Sequence, residues 1–134
     1  MLLIPDAAAL QKSLAALPLA TYKAGETVLA AGTRTGRLLF LKNGAVAVVR
    51  QGIEVAWSAQ PGMVFGEISA LLNRPHTADV RTLEPSQFYV ADAAALLAQD
   101  TAALLYVAAV LAERLDAANQ AFLNLKKASG FPTL

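Results

Sequence analysis

The sequence contains no cysteine, a single histidine, His76, and a single tryptophan, Trp57. Without thiols there is no disulfide scaffold, no thiol nucleophile and no thiolate metal site, a usage that fits a reducing compartment. One imidazole does not make a metal cluster at ligand spacing. A serine triad needs His76 as its base, and Ser69, the nearest serine, stands in no nucleophile-elbow pattern. No residue is therefore assigned a catalytic or metal-binding role, and the chain is read as a non-enzyme.

Charge is also scarce. Only 16 % of the residues are charged, eleven basic against ten acidic, for a net charge of +1. They are spread along the chain and form no basic face of the kind that nucleic acid requires. The adjacent pair Lys126 and Lys127 reads as a solvated helix end. Met1 to Asp6 has no basic residue ahead of its short apolar run, unlike a secretory signal. The longest apolar run, Ala102 to Ala112, falls short of the roughly 18 residues a membrane span needs. A soluble, cytoplasmic protein is expected, with no membrane partner.

What is plentiful is apolar side chain, 56 % of 134 residues. A chain of this length buries roughly two-thirds of its unfolded surface. No repeat or linker divides it, so one domain over 1–134 is expected. Asp6 to Leu17 predicts a short amphipathic helix, with Leu10, Leu14 and Leu17 on one face and Pro18 ending it. From Leu19 to Val90, short β-branched and aromatic runs alternate with turns at Gly25, Gly32, Gly36, Gly44, Gly52 and Gly62. Asn43-Gly44, between Leu38–Leu41 and Ala45–Val49, predicts a tight hairpin. Gln51-Gly52 and Pro61-Gly62 mark further reversals. Many short strands at such spacing favour a barrel or sandwich over a parallel sheet.

Glu67 to Leu72 interrupts the strands with a helical turn or two. Strand texture resumes over His76–Leu83 and Gln87–Val90. Asp92 is placed to cap a short helix over 93–97, and Asp100 or Thr101 to cap a long one reaching about Lys126. In that last helix Leu104, Ala108, Leu111, Leu115, Ala118, Phe122 and Leu125 alternate at spacings of four and three. This is a heptad-type seam of about three repeats, suited to another helix. Packing on the chain's own barrel is the alternative, with Leu105, Ala109, Ala112 and Phe122 available as a second apolar face.

The segment Gly62-Met63-Val64-Phe65-Gly66-Glu67-Ile68-Ser69-Ala70-Leu71-Leu72, followed by Pro75-His76-Thr77-Ala78-Asp79-Val80, resembles the phosphate-binding cassette of the cyclic nucleotide-binding domain family. Tyr22 to Leu29 with Gly32, and Leu39 to Gly44, resemble that family's first strands and glycine hairpin. The resemblance covers nearly the whole chain. It implies a mainly β fold with flanking helices: a β-barrel of the double-stranded β-helix, or jelly-roll, type over 19–90, with an N-terminal helix and a long C-terminal helix. It further implies a regulatory domain that needs no cofactor and takes a cyclic nucleotide, cyclic AMP or cyclic GMP, as its ligand.

Carried over position by position, the resemblance puts Gly66, Glu67, Ile68, Ser69, His76, Thr77 and Asn119 at the ligand. Gly66 would let a phosphate approach the backbone. Backbone N–H groups at the helical turn, around Ile68 and Ser69, would point at it. Glu67 would accept from the ribose 2′-hydroxyl, which suits an acceptor-only carboxylate. The alternative for Glu67 is a helix-start acid favoured by the dipole. Thr77 offers a hydroxyl to phosphate or guanine, and Asn119, beside Ala118, an amide to a base edge.

One position departs from the family. His76 stands where nucleotide-binding members have arginine, whose forked, permanent cation suits a cyclic phosphate. Losing such a charge-assisted bond costs about 1.5–3 kcal/mol, or roughly ten- to a hundredfold in affinity. Three readings stay open: an imidazolium that binds phosphate, a site retuned to another ligand, or a loop histidine in a site that binds nothing. Arg74 is the better nearby substitute cation and Arg81 the poorer; Asp79 brings a negative charge close by.

Transcription factors of this family continue into a winged helix-turn-helix. Here about eight residues follow the long helix, including Ser129-Gly130-Phe131-Pro132, so no DNA binding is expected from this chain alone. Two functions follow. One is a ligand sensor signalling through its last helix. The other is a ligand-free barrel whose 104–125 seam forms a homodimer or holds a partner protein.

Overall fold

The computed structural model describes residues 7–130. The elements are α1 (Ala7–Ala15), β1 (Leu19–Tyr22), β2 (Thr27–Leu29), β3 (Arg37–Asn43), β4 (Val46–Arg50), β5 (Ile53–Ser58), β6 (Val64–Phe65), α2 (Glu67–Leu72), β7 (Asp79–Thr82), β8 (Ser86–Asp92), α3 (Ala93–Gln99) and α4 (Thr101–Ser129). The helix start expected at Asp6, and the tail residues Phe131 and Pro132, lie outside the described residues. The eight strands form two four-stranded antiparallel sheets, ordered β1-β8-β3-β6 and β2-β7-β4-β5. This is the mainly β jelly-roll with an N-terminal and a long C-terminal helix that the resemblance implied.

Strand β3 explains how one run serves two cores. Leu38, Leu39, Phe40 and Leu41 are all buried, and side chains alternate across a strand. Leu38 and Phe40 face the helices, where they meet Leu14, Val64, Tyr89, Ala91 and Val107. Leu39 and Leu41 face the barrel interior with Leu29, Val46, Phe65, Val80 and Phe88. There the Phe65 and Phe88 rings meet edge-on, centroids 6.4 Å apart. Each such side chain contributes about 1.5–3 kcal/mol on burial.

The expected hairpin at Asn43-Gly44 is corrected by the sheet order. β3 and β4 belong to different sheets, so the chain crosses from one layer to the other at this point. Gly44, at φ 106°, lies against Ser86, and a Cβ there would collide with that side chain. The glycine answers a close approach to the start of β8, the strand that pairs with β3, not a tight turn between β3 and β4. The two-residue hairpin is at Gln51-Gly52, where φ is 52° and 78° and Arg50 pairs with Ile53.

Asp92 and Asp100 cap the last two helices, their carboxylates accepting from the N–H groups of Ala95 and Ala103 at 2.9 and 3.0 Å. Helix α4 docks through Ala103 and Val107, both buried, with Tyr106, Val110 and Leu111 packed beside them. This stripe differs from both faces expected for it. Of the heptad seam only Leu111 joins the core; Leu115, Phe122 and Leu125 are 63 %, 60 % and 66 % exposed. Apart from Leu111, the seam therefore does not pack on the barrel. Among the described residues, no single helix is long and apolar enough to cross a membrane.

Candidate functional site

A cavity of about 420 Å³ opens beside α2, of the size small-molecule sites usually have. Its floor is apolar, from Leu29, Val48, Phe65 and Val80 of the barrel. Its polar wall is the chain from Gly66 to Ser69 and from His76 to Ala78, and Arg114 of α4 closes one side. Six of the seven site residues expected from sequence thus meet around one space. Asn119 does not; it lies exposed on α4, outside the lining.

Gly66 precedes α2 with φ 93°, a left-handed conformation that favours glycine. A Cβ there would come within 2.5 Å of the Arg37 carbonyl oxygen and 3.6 Å of the His76 ring. Packing against β3 thus demands glycine here, independently of any ligand. The next residue, Glu67, is buried with only 8 % of its side chain exposed. Its Oε1 accepts from Arg114 Nη1 at 2.5 Å. The other nitrogen of that guanidinium, Nη2, donates to the Val64 carbonyl at 2.6 Å and lies 2.9 Å from Met63 Sδ. One side chain from the last helix therefore clamps β6 and the start of α2 together. Nearer the start of α4, Tyr106 donates its hydroxyl to the Gly62 carbonyl at 2.5 Å.

Ser69 donates its hydroxyl to the Arg74 carbonyl at 2.5 Å, closing the loop after α2. Ile68 and Thr77 line the cavity. His76 is buried, and its Nε2 is 2.9 Å from Thr35 Oγ1. Its backbone is held too, by an N–H to the Thr33 carbonyl and a carbonyl that accepts from Gly32. Burial lowers its pKa from the usual 6.5, an effect that the nearby Glu67 carboxylate partly opposes. Burial thus favours the neutral ring over the imidazolium.

Neither arginine named as a substitute cation lines this space. Arg74 lines a separate cavity behind the cassette, and Arg81 is exposed on β7. Asp79 turns aside to accept from the Ala31 N–H at 2.7 Å. The cation at the site is Arg114, which sequence reasoning missed. One signal was available: Arg114 follows Ala103, Val107 and Val110 at spacings of four, three and four, so it continues the buried stripe. A charge in line with such a stripe needs a buried partner.

The cyclic nucleotide-binding domain model matches residues 19–99. The chain belongs to the cyclic nucleotide-binding domain family. Members are regulatory, ligand-binding domains of the nucleotide-sensing kind. The chain is 41 % identical over 106 residues to Glutaminase 2 of Bradyrhizobium diazoefficiens, a match covering 73 % of this chain and 17 % of that protein. It therefore spans about a sixth of that relative's length. In fold it is similar to a cyclic nucleotide-binding domain from Methylobacillus flagellatus (TM-score 0.76, 20 % identity, 90 % of this chain and 74 % of that one). It is likewise similar to the catabolite activator protein of Thermus thermophilus (TM-score 0.73, 23 % identity, 90 % and 60 %). At these identities the two structures speak to fold alone. Within the family's architecture, the cavity lies where the cassette meets the long helix, and Glu67 and Arg114 join the two.

Proposed function

We propose that this domain senses a ligand built on a ribonucleoside, with or without phosphate, in the cavity beside α2 and reports its occupancy through α4. The observation that carries the proposal is the Glu67–Arg114 pair, which makes one cavity wall and the docking of the long helix share a single interaction. A ligand whose sugar hydroxyl donates to Glu67 holds that carboxylate in the position from which it binds Arg114. Binding and helix docking are then coupled, and each favours the other by the same free energy. The exposed seam at Leu104, Leu115, Phe122 and Leu125 supplies the output, pairing with a second copy.

Calorimetric titration with cyclic AMP, cyclic GMP, adenosine and guanosine tests binding, and hydrogen exchange along α4 tests the report. Saturable binding that slows exchange over 103–114 is expected. Binding that leaves those amides unchanged refutes the coupling. No binding by any of the four leaves a ligand-free interaction module, which the exposed seam alone would support.

A further inference from the structure

We infer that the ligand of this cavity is an uncharged ribonucleoside, a base and a sugar without phosphate. The inference rests on the sensor reading above and narrows it. It begins from the charges around the cavity. Among the described residues that line it, Glu67 and Arg114 are the charged ones, and they neutralise each other. Arg114 is already engaged on both terminal nitrogens, by Glu67, the Val64 carbonyl and Met63. At the edge where a phosphate would lie, His76 shares its Nε2 with Thr35. The other nearby arginines face elsewhere: Arg34 donates to the Asn73 carbonyl, and Arg74 lines the cavity behind.

An entering phosphate therefore has two outcomes, both unfavourable. If Arg114 stays, the anion sits uncompensated in a mostly apolar cavity near a fixed carboxylate. If Arg114 moves to the phosphate, Glu67 loses its cation while buried, and α4 loses its clamp. A nucleoside meets neither difficulty. Glu67 uses Oε1 for Arg114, and Oε2 has no protein donor among the described residues, so it can accept from a ribose hydroxyl. The apolar floor suits a purine. The burial of His76 agrees, since it disfavours the charged form of the ring.

The test is calorimetric titration of the native protein with adenosine and guanosine, each against its own cyclic monophosphate, at low and high salt. One nucleoside should bind at least about tenfold more tightly than its cyclic monophosphate, the ratio one charge-assisted hydrogen bond commands. Its affinity should be flat with salt, as for a neutral ligand. His76→Arg should raise cyclic nucleotide affinity by about ten- to a hundredfold. Because arginine at a buried site risks misfolding, Glu67→Gln provides the second check and should weaken nucleoside binding about tenfold. Cyclic nucleotide binding as tightly as the nucleoside overturns this inference and leaves the sensor standing. Nucleoside binding indifferent to Glu67→Gln overturns it too, since the ligand then lies elsewhere. Silence from all four ligands removes the sensor reading and this one with it.

Discussion

The two halves of α4 are one continuous helix in opposite circumstances. From Thr101 to Arg114 the helix lies on the barrel, with Ala103 and Val107 buried, Tyr106 bonded to Gly62 and Arg114 to Glu67. From Leu115 to Ser129 nearly every residue is exposed, including Leu115, Phe122 and Leu125. Apolar residues fall from 11 of 14 in the first half to 8 of 15 in the second, yet both halves keep large apolar side chains, and what those side chains meet differs. The docked half finds a stripe of core side chains and ends at a charged clamp. The outer half presents a heptad seam with no partner from its own barrel, the usual mark of a surface meant for association. The last residue to hold the barrel is also the one that touches the cavity.

The contrast can be broken hardest from the docked side. Val107→Asp places a charge where the side chain is 1 % exposed and should cost about 3–5 kcal/mol, read as the urea midpoint. Arg114→Ala should cost less, about 1–2 kcal/mol, because its side chain is 36 % exposed and solvent screens the pair. Its sharper readout is faster exchange at the α4 amides near residue 114. Tyr106→Phe removes one hydrogen bond and should cost about 1 kcal/mol in the same denaturation measurement.

His76 supplies a pH test. Its folded pKa lies below the unfolded one, so the unfolded chain takes up the proton first as pH falls. That contribution to stability is fully present above about pH 6.5 and is lost as pH drops through the unfolded and then the folded value. Urea midpoints at pH 7 and pH 5 should show the loss, and His76→Asn should shrink it. On the outer half, Leu115→Asp should change stability by no more than about 0.5 kcal/mol yet shift the sedimentation mass from dimer to monomer. A mass equal to one chain in the native protein would end the pairing proposal.

Much of this was legible in the sequence, for identifiable reasons. Glycines between short apolar runs marked the strands, and the Phe65-Gly66-Glu67-Ile68 segment carried the family. Aspartates ahead of apolar runs marked the helix caps. What escaped depends on contacts remote in sequence. The crossing at Gly44 was read as a hairpin because its cause, Ser86, is far along the chain. The orientation of His76 is set by Thr35, 41 residues earlier. The phase of α4 was misjudged because an alanine- and leucine-rich helix offers several apolar stripes, and only the barrel surface selects one. Arg114 was hidden with it: its role appears only once that stripe is known to face Glu67.

Leu115–Ser129 extends as a continuous helix beyond its last anchor, so under the proposed coupling it would act as a lever with its fulcrum at Arg114. About 15 residues at 1.5 Å each give an arm of roughly 22 Å, so a tilt of about 10° at the clamp moves the far end by about 4 Å. Under that proposal a small adjustment at a carboxylate would be magnified into a displacement comparable to a side chain's width, mechanical gain obtained without any hinge in the helix itself.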